Sequence, residues 1–140
     1  MSSPETQRTF VLLKPDTVRR GLVGTVVDRF ERRGLRIVAM EQRAIDGELA
    51  DRHYAEHVER DFYPPLRAFV TSGPVVAMVL EGDQAIEVVR GINGAPDGRK
   101  AAPGTIRGDY SLSNRENLVH GSDSAESAER EIGIWFPDLG

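Results

Sequence analysis

The sequence predicts an α+β fold in which helices cover a four-stranded antiparallel sheet. Four short segments are rich in aliphatic and β-branched residues, and the segments between them repeat apolar residues at helical spacing. Glycine, proline or a helix-capping residue marks most boundaries. The resulting order, β-α-β-α-α-β-α-loop-β-α, has the split βαβ rhythm of a ferredoxin-like sandwich. With 140 residues and no internal repeat or linker, the chain fits one domain, residues 1–140.

The first third of the chain is predicted to form a strand, a helix and a second strand. The run TFVLLK at residues 9–14 is apolar enough for a buried central strand. Pro15 then requires a turn, because proline disfavours helix at the residue before it. Apolar residues at helical spacing predict a helix over residues 21–33, with Gly34 as its stop. Residues 35–44 alternate between apolar and polar side chains, which predicts a half-buried strand.

The middle of the chain is predicted to continue with two helices, a third strand and another helix. Asp46 is predicted to cap a helix over residues 47–58, and a double proline opens the next one. The run GPVVAMVLEG at residues 73–82 predicts the third strand, and Asp83 is predicted to cap the helix after it. Residues 91–108 show no periodicity, and long loops of this kind are usually functional or make contacts between subunits.

The last part of the chain places a histidine where an apolar strand ends. The fourth predicted strand, NLVH, finishes at His120 and is followed by glycine, serine and aspartate. Two aliphatic residues anchor this strand, so the imidazole is predicted to lie rigidly at the floor of a cavity. Asp123 and Glu126 then form a D-x-x-E capping signal for a helix that runs to about Ile132.

Composition and charge argue against several classes of function. The net charge of −4 and a pI near 5.4 argue against a nucleic-acid-binding module, which usually carries a basic surplus. No apolar run approaches the ~20 residues that a membrane helix requires, and the polar opening MSSPETQRTF does not resemble an export signal. Because the chain has no cysteine, disulfides and thiolate chemistry are excluded. We therefore expect a cytoplasmic protein with no membrane partner and no specific nucleic acid partner.

Two motifs that often carry chemistry are incomplete. GAPDGRKAA lacks the spacing of a P-loop, and no serine or threonine follows Lys100. HYAEH places His53 and His57 four residues apart on one helix face, but it is not the H-E-x-x-H zinc motif. A zinc site is one interpretation of this pair. Two partly exposed helix histidines without a metal are the better interpretation.

Three cations are predicted to converge on His120. Lys14 ends the first strand, and Arg90 and Arg107 flank the long loop. Each alone is an ordinary surface charge, but together they would form a phosphate site. Imidazole is nucleophilic near neutral pH without the help of a base, so His120 could accept a phosphoryl group and pass it on. Glu131 is the candidate carboxylate to orient the ring, although it could equally be an exposed helix residue.

Five blocks of the sequence together resemble the nucleoside diphosphate kinase family from end to end of the chain. In order they are LLKPDTVRRGLVG, TSGPVVAMVLEG, PGTIRGDY, NLVHGSDS and SAEREIGIWF. The resemblance implies transfer of the γ-phosphoryl group of a nucleoside triphosphate, typically ATP, to another nucleoside diphosphate. The implied route is ping-pong through a phosphohistidine, and it maintains nucleoside triphosphate pools. The resemblance also implies Mg²⁺, bound mainly through the nucleotide phosphates, and a homo-oligomer, either a tetramer or a hexamer.

The resemblance implies roles for the residues around the transferred phosphoryl group. His120 would be the phosphorylated nucleophile, Glu131 would orient it, and Ser122 would support that hydrogen-bond set. Lys14 would contact the phosphate nearest His120 and the ribose 3′-hydroxyl. Tyr54 would lie close to this chemistry.

The resemblance also implies which residues hold the rest of the nucleotide. Arg90 and Arg107 would bind the β- and γ-phosphates, and Asn117 would bind the ribose hydroxyls. Phe62 would stack on the base, and an aromatic face that stacks on any base explains a broad substrate range. Without the resemblance, Phe62 could equally be a buried loop anchor.

The sequence departs from the family pattern at three positions. Pro96 stands where the family usually has a phosphate-binding threonine, and it has neither a hydroxyl nor an N–H. We expect weaker nucleotide binding or slower turnover rather than inactivity, because one hydrogen bond typically contributes ~1 kcal/mol and one to a charged group up to ~3. Gly98 replaces a usual proline, which would loosen the loop. Asn114 replaces an apolar residue near the base and would add only a polar contact.

Two other classes of function remain as alternatives. One is a nucleotide-binding or regulatory member of the same family with catalysis impaired by Pro96, and the intact set of predicted catalytic residues argues against it. The other is a nucleic-acid-binding ferredoxin-like module, which would require the aromatic sheet motif and the basic surplus that this sequence lacks.

Overall fold

The structure, a computed structural model that describes residues 6–139, contains a four-stranded sheet. Its strands are β1 Thr6–Leu13, β2 Arg36–Arg43, β3 Val75–Asp83 and β4 Val119–Gly121. They lie in the order β2-β3-β1-β4, and each neighbouring pair is antiparallel. This sheet confirms the predicted ferredoxin-like α+β class. The prediction about export concerns the opening of the chain, whose first five residues lie outside the described residues, and the single domain over residues 1–140 stays a prediction.

Helices cover both faces of the sheet. Within residues 6–139 they are α1 Pro15–Arg19, α2 Val23–Arg32, α3 Gly47–His53, α4 Tyr63–Val70, α5 Ala85–Asn93, α6 Ile106–Tyr110 and α7 Ala125–Trp135. Helices α2, α5 and α6 contribute to the core on one face, and α3, α4 and α7 to the core on the other. None of these helices is long and apolar enough to span a lipid bilayer.

The central strand β1 is buried on both of its faces. Val11 and Leu13 belong to one core, whereas Phe10 and Leu12 belong to the other. Because helices cover both faces there, the second half of β1, residues 9–13, is continuously buried and its last four residues are all apolar, as predicted. Strand β2 lies at the edge of the sheet and is only partly buried, which confirms the half-buried strand.

The pairing of β4 with β1 determines where the histidine of NLVH lies. His120 is directly opposite Leu12, and residues opposite each other in an antiparallel pair point to the same face. His120 therefore lies on the face that α7 covers. The backbone N–H of Lys14, the residue after β1, donates to the carbonyl of Leu118 at 2.9 Å. The end of β1 and the strand that carries His120 thus lie side by side, as the sequence predicts.

Two predicted helix ends are confirmed, and two predicted segments are shorter than expected. The Asp46 side chain accepts a hydrogen bond from the first turn of α3, and Gly34 follows α2 with a φ of 100°. The predicted helix over residues 47–58 ends at His53, and a 3₁₀ turn at Ala55–His57 follows it. The predicted loop at residues 91–108 includes the end of α5 and the start of α6.

Three predicted boundaries are wrong. The turn after β1 is the start of α1, because Pro15 occupies the first helical position, where its missing N–H has no cost. Asp83 does not cap α5, which instead begins after Gln84 with a left-handed φ of 50° and no side-chain cap. Ser124 rather than Asp123 caps α7, because its hydroxyl accepts a backbone N–H of the first turn at 3.1 Å.

Candidate active site

His120 is held by a carboxylate through one of its ring nitrogens. Its Nε2 lies 2.9 Å from Oε1 of Glu131, which projects from α7. Glu131 is only 4% exposed, so the alternative of an exposed helix residue is wrong. The Ser122 hydroxyl donates to the same Oε1 at 2.7 Å. Ser122 is fixed in turn, because its backbone N–H donates to the carbonyl of Phe10 at 3.1 Å.

The contact with Glu131 selects one tautomer of the His120 ring. A carboxylate oxygen accepts hydrogen bonds, so Nε2 carries the proton when the ring is neutral. The lone pair then lies on Nδ1, and no other group among residues 6–139 makes a hydrogen bond to that nitrogen. Because the ring is half-buried and lines a cleft, Nδ1 is the nitrogen that is available to a ligand.

Lys14 and Asn117 contact each other at the end of β1. Lys14 is 7% exposed, and its Nζ donates to Oδ1 of Asn117 at 2.7 Å. Burial lowers the pKa of Lys14 to about 8; the positive charge of Arg107 adds to this effect, and the carboxylate of Asp16 opposes it. The amide nitrogen of Asn117 donates to the carbonyl of Pro96 at 2.8 Å. Two residues with predicted nucleotide contacts are therefore already oriented by each other.

Arg107 links three backbone positions behind the cleft through hydrogen bonds. Its guanidinium donates to the backbone carbonyls of Gly94 at 2.7 Å, Asn117 at 3.2 Å and Val119 at 2.5 Å. Burial, together with the charge of Arg90, lowers the pKa of Arg107 to about 10, so it is charged at neutral pH. Three of its five N–H groups are used in this way, and two remain for an anion.

Arg90 projects from α5 and is exposed beside His120. Both residues line the same cavity of about 300 Å³. In the described part of the chain no side chain or backbone group forms a hydrogen bond with the Arg90 guanidinium. Arg90 is thus a cation whose donors are available to an anion, whereas Arg107 is largely committed to the protein.

Two adjoining cavities form one cleft at His120. The smaller, of about 300 Å³, extends to Arg90 and Glu131. The larger, of about 660 Å³, extends to Lys14 and Phe62. Five residues line both cavities: Tyr54, His57, Pro96, Arg107 and His120. The structure therefore brings seven of the nine predicted site residues to one cleft: Lys14, Tyr54, Phe62, Arg90, Arg107, His120 and Glu131. Asn117 and Ser122 are buried and line neither cavity.

The outer part of the cleft has an aromatic wall. Phe62 is 51% exposed, so the alternative of a buried loop anchor is wrong. Its ring centroid lies 5.4 Å from that of His57. Asn114 lines the same cavity with an exposed side chain.

At the inner wall the hydroxyl of Tyr54 is buried without a hydrogen-bond partner among residues 6–139, and burial raises the pKa of Tyr54.

His53 is a neighbour of His120 that the sequence interpretation missed. It is 2% exposed, so the expectation of a partly exposed helix histidine is wrong for this residue. Trp135 Nε1 donates to its Nδ1 at 3.0 Å, and its ring lies 4.7 Å from the His120 ring at an angle of 80°. Burial, and after it the charge of His120, lowers the pKa of His53 well below its ordinary value. The sequence signal that indicates this burial is Leu49, an apolar residue on the same helix face as His53.

A possible group of metal ligands also includes His53. One ligand atom from each of His53, His120 and Glu131 lies within 4.8 Å of the other two. The indole N–H of Trp135 occupies Nδ1 of His53, so the neutral ring carries its proton on Nε2 and offers no lone pair to a metal. His57, the partner in the predicted zinc pair, is not in this group. The cluster is therefore better described as two packed rings and a carboxylate than as a zinc site.

Comparison with known proteins gives matches over nearly the whole chain. The family model described as nucleoside diphosphate kinase matches residues 7–139. A protein of that name from a Nocardioides species is 75% identical over 132 residues, which are 94% of this chain and 98% of that protein. Another from Cutibacterium acnes is 59% identical and covers 95% of this chain and 96% of its own length.

A solved structure shows the same similarity in three dimensions. It is a halophilic nucleoside diphosphate kinase from Halobacterium salinarum in complex with CDP. The TM-score is 0.92 at 51% sequence identity, and the match covers 94% of this chain and 88% of that one.

The Glu131 contact predicts the protonation state of the His120 ring. In the neutral ring, ¹⁵N NMR is expected to show the proton on Nε2. Glu131→Gln is expected to raise the ratio of the Nδ1-protonated to the Nε2-protonated ring by about fivefold or more, since a hydrogen bond to a charged acceptor contributes about 1 kcal/mol or more. Glu129→Gln, an exposed change on the same helix, is the control. An unchanged tautomer ratio in Glu131→Gln would contradict the assignment.

The burial of Lys14 predicts an early titration. The chain has only two lysines, Lys14 and Lys100, so ¹⁵N or ¹³C NMR of labelled lysine gives two side-chain signals. Lys14 is expected to lose its proton near pH 8, because burial disfavours its charged form. The exposed Lys100 gives the reference signal, and Lys14→Arg identifies which signal is which. Titration of the Lys14 signal above pH 10 would show that the side chain is not desolvated.

Proposed function

From the premise that this chain belongs to the nucleoside diphosphate kinase family and is a phosphotransferase, we propose that it carries the γ-phosphoryl group between nucleotides on His120. The donor is a nucleoside triphosphate, typically ATP, and the acceptor is another nucleoside diphosphate. One observation carries the proposal: Glu131 holds Nε2 of His120, so the lone pair of Nδ1 is available in a cleft that Lys14, Arg90 and Arg107 line.

The reaction consists of two displacements at phosphorus. In the first, the Nδ1 lone pair of His120 forms a bond to the γ-phosphorus while the bond from that phosphorus to the β–γ bridging oxygen breaks, and a nucleoside diphosphate leaves. The ring becomes positively charged, and the Glu131 carboxylate stabilises this charge through Nε2–H. In the second, the terminal oxygen of another nucleoside diphosphate attacks the same phosphorus and His120 leaves with its original proton. The order is ping-pong, because one cleft serves both nucleotides in turn.

Cations that line the cleft around His120 match the charge that moves in these steps. Arg90 offers a guanidinium with its donors available, and Arg107 offers the N–H groups that the backbone does not use. Lys14 is placed to contact the phosphate nearest His120 and the ribose 3′-hydroxyl, and its bond to Asn117 fixes its direction. The Tyr54 hydroxyl, which has no partner in the described structure, supplies a further donor beside the phosphoryl group.

The outer end of the cleft is suited to the nucleoside. Asn117 is proposed to bind the ribose hydroxyls, and the exposed face of Phe62 to stack on the base. Stacking does not depend on the pattern of donors and acceptors at the base edge, so purines and pyrimidines both fit. The solved relative with CDP is one case of a pyrimidine nucleotide in this family. Broad acceptance supports a role in maintaining nucleoside triphosphate pools in the cytoplasm.

Mg²⁺ is proposed to enter with the nucleotide. It prefers an octahedron of oxygen ligands and usually keeps several waters together with substrate phosphates. The carboxylates that line the inner cavity are Glu56, Asp123 and Glu131, and Oε1 of Glu131 already accepts two hydrogen bonds. These residues fit a metal that would be held mainly by oxygens of the nucleotide phosphates. Its chemistry would be to neutralise charge on those oxygens.

A homo-oligomer, tetramer or hexamer, is also proposed. Strand β2 lies at the edge of the sheet, so its outer backbone groups have no strand partner among residues 6–139. Met40 on this strand is 45% exposed. A second copy of the chain would cover such an edge, because an exposed strand edge readily pairs with another chain.

A labelling experiment tests the proposed mechanism. Incubation with γ-labelled ATP is expected to leave one phosphoryl group on His120, stable to alkali and labile to acid, and addition of GDP is expected to remove it as GTP. His120→Ala is expected to abolish the label. Mass spectrometry of peptides kept in alkali locates the site and distinguishes His120 from Ser122. An unlabelled wild-type chain that still binds ADP would favour the regulatory alternative.

Pro96 is expected to weaken nucleotide binding. Its carbonyl is used by Asn117, but it has no N–H or hydroxyl to offer to a phosphate. Pro96→Thr is expected to lower the dissociation constant of ADP by about fivefold, since one added hydrogen bond contributes ~1 kcal/mol. Pro103→Thr, an exposed proline of the same segment that does not line the cleft, is the control in isothermal titration calorimetry. Equal ADP affinities in wild type and Pro96→Thr would mean that another group already supplies this contact.

A further inference from the structure

Leu118, two residues before His120, has a left-handed backbone conformation. Its φ is 74°, and its side chain is fully buried. A residue with a Cβ is unfavourable in this conformation and adopts it only where the surrounding structure holds it. Leu118 joins Asn117, which contacts Lys14, to the strand that carries His120. The backbone angle of one residue therefore determines how these two side chains lie relative to each other.

The segment 14–17 holds both backbone groups of Leu118. Its carbonyl accepts from the backbone N–H of Lys14 at 2.9 Å and from Oγ1 of Thr17 at 2.6 Å. Its N–H donates to Oδ2 of Asp16 at 3.0 Å. Asp16 is 2% exposed, so water does not compete for this bond. Within residues 6–139 Asp16 provides the acceptor for this N–H.

We propose that Asp16 is a positioning residue for phosphoryl transfer: it fixes the left-handed turn at Leu118 and thereby aligns Asn117 with His120. Asp16 acts at a distance, because it lines neither cavity of the cleft. The inference rests on the proposed function, since the alignment matters only if His120 accepts a phosphoryl group from a bound nucleotide.

The burial of Asp16 supports a role beyond helix stability. Burial raises the pKa of its carboxyl group, whereas the charge of Lys14 and the N–H of Leu118 lower it. Its Oδ1 is buried without a partner in the described structure. A carboxylate that only complemented the positive end of α1 would not need to be buried, because that interaction also operates at the protein surface. The burial of Asp16 beside Leu118 is explained by the hydrogen bond that its carboxylate accepts from the Leu118 N–H.

The competing explanation is that Asp16 contributes only to stability. The two explanations differ in what happens when residue 118 is glycine, which adopts a positive φ without strain. If Asp16 acts by holding the turn, Asp16→Ala slows phosphorylation less when residue 118 is glycine than when it is leucine. Leu118→Ala is the matched control, because it removes nearly the same side chain but keeps the Cβ that disfavours a positive φ. The loss of core packing is then similar in both backgrounds.

The experiment places Asp16→Ala in the wild-type, Leu118→Gly and Leu118→Ala chains. Single-turnover phosphorylation by ATP, ADP affinity and melting temperature are measured for each. Asp16→Ala is expected to slow phosphorylation about tenfold or more in the wild-type and Leu118→Ala chains. In the Leu118→Gly chain the same change is expected to have an effect of about twofold or less. Asp16→Asn, which keeps an acceptor oxygen, is expected to retain most of the rate.

Two kinetic results would overturn the proposal. One is a folded Asp16→Ala chain that is phosphorylated at the wild-type rate, and the other is an equal slowing in the glycine and alanine backgrounds. If Asp16→Ala does not fold, Asp16→Glu, which displaces the carboxylate, takes its place in the same comparison.

Amide hydrogen exchange at Leu118 separates this proposal from the proposed function, because it requires no catalysis. Faster exchange of the Leu118 amide is expected in Asp16→Ala than in wild type. Unchanged exchange overturns the role of Asp16 whatever the activity. A wild-type chain that is never phosphorylated overturns the function of His120 instead.

Discussion

The antiparallel pairing of the three-residue strand β4 with β1 is the constraint on which the cleft depends. It places His120 opposite Leu12, on the face that α7 covers, and so within reach of Glu131. On its other side no strand among residues 6–139 pairs with β4, and the guanidinium of Arg107 lies there and donates to the carbonyl of Val119. A charged side chain thus supplies one of the hydrogen bonds that a neighbouring strand would otherwise make to this edge. The residue that the resemblance assigns to phosphate binding is therefore also part of the fold.

Much of the fold could be predicted because its signals are local. The double-sided burial of the second half of β1 is visible in the apolar run FVLL, and the helix ends at Gly34 and Asp46 follow from glycine conformation and side-chain capping. The predictions failed where two local signals competed. Asp83 is a good capping residue by type, but the left-handed Gln84 already begins α5. Pro15 disfavours helix before it and favours helix after it, and the second effect begins α1 directly after β1.

The candidate site was predictable as a set of residue types but not as a set of contacts. Spacing and resemblance together indicate His120 and its cations. Neither indicates that Asn117 orients Lys14, or that Arg107 donates three of its hydrogen bonds to backbone carbonyls. These contacts join residues of different segments, so the periodicity within any one segment does not indicate them. The burial of His53 between Trp135 and His120 depends in the same way on how α3 and α7 pack over one face of the sheet.

The cleft concentrates polar groups that the folded protein leaves incompletely satisfied. The ammonium of Lys14 is desolvated, and the hydroxyl of Tyr54 is buried with no hydrogen-bond partner among the described residues. An unmade hydrogen bond at a buried group costs about 1–3 kcal/mol, a large part of the roughly 5–15 kcal/mol by which folded proteins are stable. Two apolar cores, one on each face of the sheet, offset such costs. Both groups donate hydrogen bonds, so what would satisfy them is an acceptor-rich anion such as a polyphosphate. The same donors that weaken the free protein would then stabilise the complex, because a ligand that binds only the folded state shifts the folding equilibrium towards it.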